Sequence, residues 1–224
     1  MKNSDKLKRY SMFIAGVIFS ALGISLITKA GLGTSPITSL AFVLTFIFPH
    51  SLGEFTMLVN TVMFLIQAAL LGKAFGKIQL LQLPAALLFS ACIDGWMYIL
   101  GFWKTGSYVG QVLMLLLGCV FLGLGIAFEV IPNVLILPGE GLGRVIAGLT
   151  GWGFGLVKTG FDMSIVASAV GVSLFFTGHV LGIREGTVLA ALIVGSISHF
   201  FIEKVSNVLE GWIPDYSDAG DACP

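Results

Sequence analysis

The chain has 224 residues, of which 56% are hydrophobic and only 11% charged, and its mean hydropathy is +0.98. Soluble globular domains carry about 25% charged residues, so this composition excludes an ordinary soluble domain and indicates a polytopic membrane protein. The 12 Lys and Arg residues balance the 12 Asp and Glu residues, and no basic block is long enough to bind nucleic acid.

The three cysteines, Cys92, Cys119 and Cys223, show no paired spacing, and the sequence has no CxxC motif or Cys/His cluster. Disulfides, a metal site and a cofactor are therefore not expected.

Six apolar runs are long enough to cross the hydrocarbon core, which takes about 20 helical residues. They are Ser11–Thr28, Gly53–Leu71, Leu80–Trp103, Tyr108–Ile131, Thr159–Gly178 and Gly186–Ile202. Two further runs are too short to cross: Pro36–Phe48 and Gly141–Val157. We predict an all-α fold in which these two runs form re-entrant half-helices that leave the membrane on the side they entered.

The distribution of positive charge predicts the topology. With the N-terminus inside and both short segments re-entrant, nine cationic residues are cytoplasmic and three are outside, as the positive-inside rule requires. The nine are Lys2, Lys6, Lys8, Arg9, Lys73, Lys77, Arg144, Lys158 and Lys204, and the three are Lys29, Lys104 and Arg184. We predict a multi-pass protein of the bacterial cytoplasmic (inner) membrane, in contact with lipid, with both termini cytoplasmic.

The two halves of the chain repeat one pattern of span, short segment, span, span. An offset of 102 residues places Gly16, Phe19, Leu22, Gly23 and Ile24 on Gly118, Phe121, Leu124, Gly125 and Ile126. At an offset of 110, residues 31–33 match residues 141–143. At an offset of 106, Gly72 matches Gly178 and Gly76 matches Gly182. Three spans per half would invert the second copy, so we predict a 3+3 inverted repeat. The repeats are residues 1–104 and 105–211, followed by an acidic tail, 212–224, expected to be disordered.

The segments PGEGLGRVIAGLTGWGFGLVKTGFDMSIV and LGIREGTVLAALIVGSISHFF resemble the pattern of the bacterial YczE/YyaS/YitT-type integral membrane proteins. The first half, with AGLGTSP and LVNTVMFLIQAALLGKAFGK, is similar to the same group, so the resemblance covers nearly the whole chain except the acidic tail. That group is largely of unassigned function. The resemblance therefore implies a membrane location and this fold, and it supplies no substrate or catalytic residue.

The start of the first short segment is a candidate binding site for a solute. Gly31 and Gly33 precede Thr34, Ser35 and Pro36, where Ser35 can cap a helix and proline suits the first turn. If the chain dips into the membrane and returns as a helix, its free N–H groups and positive dipole end face the midplane and favour an anion. The alternative is a tight glycine loop that only closes a packed helix pair.

Five ionisable residues of the second half form a second candidate group, because charges within membrane segments are costly and often functional. They are Glu129, Glu140, Arg144, Lys158 and Asp162. We expect Lys158 and Asp162 to form an i,i+4 pair and Arg144 to pair with Glu140. Glu140, Gly141, Arg144 and Asp162 are predicted to bind the solute, and Asp162 with Arg144 is the leading candidate for a solute or proton site. The alternative is a structural ion network.

Candidates for a proton relay are Glu129, Asp94 and His199, since a titratable group in a low dielectric can exchange a proton. A simple hydrogen bond to a neighbour is the alternative role for His199. Asn60 and Gln67 share a face of the second span, where they could line a polar path or bridge two helices.

The sequence favours a secondary transporter or facilitator of a small polar or anionic solute, bound near the midplane between the repeats. The alternative is a non-transporting scaffold or regulatory protein. An enzyme is not expected, because GxSxG, HExxH and paired catalytic carboxylates are absent from the sequence. GxxxG spacings allow a homodimer without requiring one.

Overall fold

The computed structural model describes residues 3–103 and 106–209. These residues form α-helices joined by loops and 3-10 turns: α1 (Asn3–Lys29), α2 (Ser39–Ile47), α3 (Leu52–Leu71), α4 (Gln82–Ile99), α5 (Tyr108–Val130), α6 (Pro138–Thr150), α7 (Phe154–Thr177) and α8 (Glu185–Leu209). The 3-10 turns are Pro36–Thr38, Gly72–Ala74, Lys77–Leu81 and Leu100–Phe102. The tail 212–224, Lys2, Lys104 and Cys223, on which parts of the sequence predictions fall, lie outside the described residues.

Six of the helices, α1, α3, α4, α5, α7 and α8, are long and apolar enough to cross a membrane. The predicted all-α, multi-pass membrane protein is thereby confirmed. Burial differs widely among the six helices. In α1, 61% of the most apolar window is buried inside the protein, against 6% in α8. The first span is therefore the central helix, and α8 lies at the periphery.

The second short helix starts and ends earlier than predicted. It spans Pro138–Thr150 instead of Gly141–Val157, and the next span already begins at Phe154. Gly151 causes the shift, because its left-handed conformation, with φ of 71°, ends α6 before the apolar run is complete. Pro138, in the first turn, starts the helix without losing a hydrogen bond. The first short helix, with its 3-10 turn, spans Pro36–Ile47, close to the prediction.

Glycines hold α1 and α5 in close antiparallel contact. A Cβ added at Gly118 would lie 2.8 Å from the carbonyl oxygen of Gly23, and one added at Gly125 would lie 2.8 Å from that of Gly16. Between them, Phe19 and Phe121 stack with their ring centroids 6.1 Å apart. The contacts run in opposite order along the two helices, so the helices are antiparallel. Because an added Cβ would clash at each of these positions, the two backbones pass at a distance that only glycine allows.

One of the three predicted sequence matches is wrong. Residues 31–33 lie in the loop before the first short helix, whereas residues 141–143 lie inside α6. Pro36 and Pro138 each lie in the first turn of a short helix, and they are separated by the same 102 residues as the sequence matches between α1 and α5. With 29 glycines in the chain, a Gly-Leu-Gly match is easily produced by chance.

The starts of the two short helices meet inside the bundle. A Cβ added at Gly139, in α6, would lie 2.5 Å from the side chain of Ile37 and 3.4 Å from that of Met63, midway along α3. The other end of α2 lies elsewhere, because Phe42 and Phe46 contact Gly182, in the loop before α8. The two helices therefore run outward from a common internal meeting point.

Candidate functional site

A cavity of about 400 Å³ lies where the two short helices meet. Its walls are mainly apolar, and most of the bundle contributes to them. Five ionisable residues line it: Glu129, Glu140, Arg144, Lys158 and Asp162. These are the five that the sequence analysis grouped together. An apolar cavity with a few convergent polar groups is the usual form of a small-molecule site.

Lys158 and Asp162 neutralise each other on the wall of this cavity. Lys158 Nζ donates to Asp162 Oδ1 at 3.0 Å, one turn apart on α7. The predicted i,i+4 pair is therefore formed. Because about a quarter of each side chain remains exposed, a solute in the cavity can reach the pair.

Arg144 and Glu140 do not form the predicted ion pair. The guanidinium carbon of Arg144 instead lies 5.7 Å from the ring centre of Phe154, within the range of a cation–π contact. Among the described residues, no ion pair includes either Arg144 or Glu140. Both side chains are half-buried and line the cavity. The cavity therefore holds one cation and one anion that are free to bind a solute.

Glu129 is the most buried of the five ionisable residues, with 5% of its surface exposed. It lies in the last turn of α5 and accepts a hydrogen bond from Ser20 Oγ of α1 at 2.6 Å. Sequence reasoning did not single out Ser20. The available signal was its helical spacing from Gly16 and Gly23, which places a hydroxyl on the small-residue face of α1.

Ser35 lines the cavity, but its side chain does not cap the helix as predicted. Its hydroxyl instead bonds Thr38 Oγ1 at 2.8 Å. Thr38 in turn bonds Thr34 Oγ1 at 3.0 Å, and Thr34 bonds Thr28 Oγ1 at 2.9 Å. A buried chain of four hydroxyl groups thus runs from the end of α1 to the cavity.

Gly31, Gly33 and Thr34 are not on the cavity wall. Arg184 donates to the carbonyl oxygen of Gly31 at 3.2 Å, and the backbone N–H of Thr34 donates to Thr187 Oγ1 at 3.1 Å. Gly33, with φ of 128°, packs against Thr187 as well. These three residues anchor the loop to the start of α8.

A second, smaller cavity of about 200 Å³ adjoins the first through Arg144, which lines both. Gly141, a predicted solute ligand, lies on this second wall. Three glutamines also line it, and their Oε1 atoms are buried without a hydrogen-bond partner among the described residues: Gln67, Gln79 and Gln82. Asn60 lines the main cavity. Asn60 and Gln67, which share one face of α3, thus line different cavities.

Asp94 and His199, two of the three relay candidates, lie away from the cavity wall. Asp94 accepts hydrogen bonds from Ser51 Oγ at 2.6 Å and from the backbone N–H of Gly53 at 2.8 Å, so it fastens the start of α3 to α4. His199 is largely exposed on α8, with Nδ1 3.6 Å from Glu203. Only Glu129 of the three is buried beside the cavity.

Comparison with known proteins places the chain among membrane proteins without an assigned role. The family of unknown function DUF6198 matches residues 7–203. The chain is 28% identical over 217 residues to the uncharacterized membrane protein YczE of Bacillus subtilis (strain 168), covering 96% of this chain and 95% of that protein. It is 27% identical over 201 residues to the uncharacterized protein YyaS of the same organism, covering 88% and 94%. No solved structure matches the chain.

Proposed function

The chain belongs to this family of unknown function, and we propose that it is a secondary transporter or facilitator of a small polar or anionic solute. One observation carries the proposal: the starts of two short helices meet at an internal cavity that also holds an unpaired arginine. No side chain caps the first turn of α6, but Glu140 lies in that turn, so its carboxylate offsets part of the attraction of the free N–H groups for an anion and leaves Arg144 as the main cation for a negatively charged group. Interrupted segments that meet at a central site are typical of secondary transporters.

The contact between α1 and α5 supports an inverted repeat. Under the offset of 102, the approach of Gly118 to Gly23 is equivalent to that of Gly16 to Gly125, where an added Cβ would lie 2.9 Å from the carbonyl oxygen. Phe19 and Phe121, which are equivalent as well, stack on each other. Each contact that α1 makes with α5 therefore has an equivalent contact from α5 to α1. Two antiparallel helices related in this way have twofold symmetry, as two inverted halves require.

The ends of the short helices support the re-entrant reading. The loop before α2 bonds the start of α8, where Gly186 N–H donates to Leu32 O at 2.8 Å. The far end of α2 contacts the loop before α8 too, through Phe46 and Gly182. The loop before α2 and the far end of α2 thus both lie near the start of α8, while the turn Pro36–Thr38 between them reaches the cavity. We place this end outside and both termini in the cytoplasm, in accord with the positive charges.

Glu129 is our candidate for the residue that carries the proton coupled to solute transport. A carboxyl group is able to hold or release a proton, and this one is buried beside the solute cavity with a hydroxyl as its hydrogen-bond donor. Intramembrane carboxyl groups of this kind are common parts of proton relays.

The proposal is tested first by binding. The detergent-purified protein is melted with inorganic anions, organic acids, amino acids, sugars and cations, because a ligand that binds only the folded state raises the melting temperature. Any hit is then followed as uptake into proteoliposomes. We expect Arg144→Gln to reduce uptake at least tenfold and Asp162→Asn to reduce it as well.

Arg184→Gln is the matched control, since Arg184 bonds Glu185 and Gly31 away from the cavity. Its uptake should stay close to that of the unaltered protein. A chain that binds none of these solutes, transports none and copurifies with another membrane protein would contradict the proposal and favour the scaffold alternative.

A further inference from the structure

Two opposite charges remain available in the main cavity after the other ionisable groups are satisfied. Lys158 and Asp162 bond each other, and Glu129 accepts from Ser20. Glu140 and Arg144 then remain, one helical turn apart on α6, and no ion pair or side-chain hydrogen bond joins either side chain to another described residue. Together they are neutral. While Glu129, on the same wall, is protonated and therefore neutral, a solute that satisfies both must carry one negative and one positive group and be neutral overall.

Other classes of solute fit this pair less well. An inorganic anion bound at Arg144 would also face the carboxylate of Glu140, and an organic cation bound at Glu140 would face the guanidinium. Side chains four residues apart on a helix have Cβ atoms about 5–6 Å apart on one face. An ammonium group and a carboxylate on a single carbon atom can bridge that spacing.

The rest of the wall selects an apolar body. Aliphatic, sulfur-containing and aromatic side chains from several helices surround the charged pair: Ile37, Val59, Met63, Phe89, Leu122 and Phe154. The volume of about 400 Å³ is within the usual range of small-ligand sites, roughly 300–1,000 Å³. Burial of apolar surface against this wall is the main source of affinity available to a solute here.

We propose that the solute is an α-amino acid with an apolar side chain, whose carboxylate binds Arg144 and whose ammonium group binds Glu140. This inference rests on the proposed function and narrows it to one substrate class. Arg144 lines the cavity with its guanidinium carbon 5.7 Å from the ring centre of Phe154, and it lies one turn further along α6 than Glu140, which is in the first turn.

Matched ligand series test the proposal on the unaltered protein, so no variant has to fold. One series is leucine, 4-methylpentanoate, which lacks the amino group, and 3-methylbutylamine, which lacks the carboxylate. Phenylalanine, 3-phenylpropanoate and phenethylamine form the second series, and glycine lacks the apolar body. We expect leucine or phenylalanine to raise the melting temperature and to bind at least about tenfold more tightly than its two partners, because each lost charged contact costs at least that factor. Glycine should bind more weakly as well, because it has no apolar side chain to bury against the wall.

Two substitutions assign the charges. Glu140→Gln should remove the preference for the amino acid over the matched carboxylic acid, and Arg144→Gln should remove the preference over the matched amine. Arg184→Gln should alter neither ratio. A merely structural role would weaken all the ligands alike and leave the ratios unchanged.

The outcomes separate this inference from the proposed function. Equal binding of leucine and 4-methylpentanoate, or binding of neither amino acid while another solute is transported, would overturn the substrate class and leave the transporter proposal intact. Absence of any transported solute would overturn both.

Discussion

At the scale of single residues, Glu129 and Arg144 differ most from ordinary membrane side chains. One is a buried carboxyl with a hydroxyl donor, and the other is a half-buried guanidinium that contacts an aromatic ring and forms no ion pair with a described residue. Both arrangements leave ionisable groups poorly compensated in a low dielectric, which is costly unless the groups serve a function.

Replacing Glu129 with glutamine tests its role as proton carrier. The amide keeps the shape and can still accept from Ser20, but it cannot exchange a proton. We expect Glu129→Gln to abolish accumulation of solute driven by a pH gradient and to preserve exchange of labelled for unlabelled solute, both measured in proteoliposomes. Gradient-driven accumulation at the unaltered level would remove Glu129 from the coupling step.

The hydroxyl of Ser20 has its own measurable contribution. Ser20→Ala leaves Glu129 buried without its donor, and an unsatisfied buried polar group costs about 1–3 kcal/mol. We expect a lower melting temperature for Ser20→Ala, and a much smaller loss when the same substitution is made in Glu129→Leu, where no acceptor is left unpaired. Equal losses in both backgrounds would show that the bond contributes little.

At the scale of elements, the glycine contact between α1 and α5 positions the two halves of the cavity. A methyl group at Gly23 would overlap the backbone of Leu122. Gly23→Ala should therefore destabilise the protein by about 1–3 kcal/mol, the usual cost of overpacking. Gly171→Ala is the matched control, because nothing lies within 4 Å of that position on α7. There alanine should stabilise by about 0.5–1 kcal/mol through its higher helix propensity. Thermal melting should therefore show a lower melting temperature for Gly23→Ala and a higher one for Gly171→Ala than for the unaltered protein.

Helix existence could be predicted from the sequence far better than helix boundaries. Long apolar runs identify membrane-crossing helices because the membrane fixes their length. The end of α6 could not be read in this way, since Gly148, Gly151, Gly153 and Gly155 are all possible stops and only the left-handed conformation of Gly151 decides among them. Gly31 and Gly33 were assigned to the site because they precede the predicted start of the first short helix. Their contacts with Arg184 and Thr187 depend on residues about 150 positions away, which no local pattern reveals.

At the scale of the whole molecule, the predicted topology can be tested by labelling. Single cysteines at His50, after α2, and at Arg184, before α8, should react with an impermeant maleimide from outside right-side-out vesicles of a chain whose own cysteines are replaced. Single cysteines at Lys73 and Trp152 should react only after the membrane is opened. Labelling of positions 50 and 184 from opposite sides would show that the first short helix crosses the membrane.

The charged part of the cavity could be predicted from the sequence, whereas its apolar walls could not. Ionisable residues in membrane segments are rare enough to stand out, so Glu129, Glu140 and Arg144 were found directly. Val59 and Phe89 look like ordinary lipid-facing or core residues, because apolar side chains occur on every side of a membrane helix. Which of them face a cavity is set by how the helices pack.

The central place of α1 has a consequence for synthesis of the protein. This helix is made first, yet the glycine face and Ser20 find their partners only in α5, whose last residue is about 100 positions later. At roughly 5–20 residues per second, α5 is complete about 5–20 s after α1. During that interval α4 can already pack against α1, through the hydrogen bond from Ser25 Oγ to Ile93 O, but the hydroxyl of Ser20 and the glycine face of α1 still face lipid or the insertion machinery. We expect ribosome-bound chains that end before α5 to be the most readily degraded intermediates of its biogenesis.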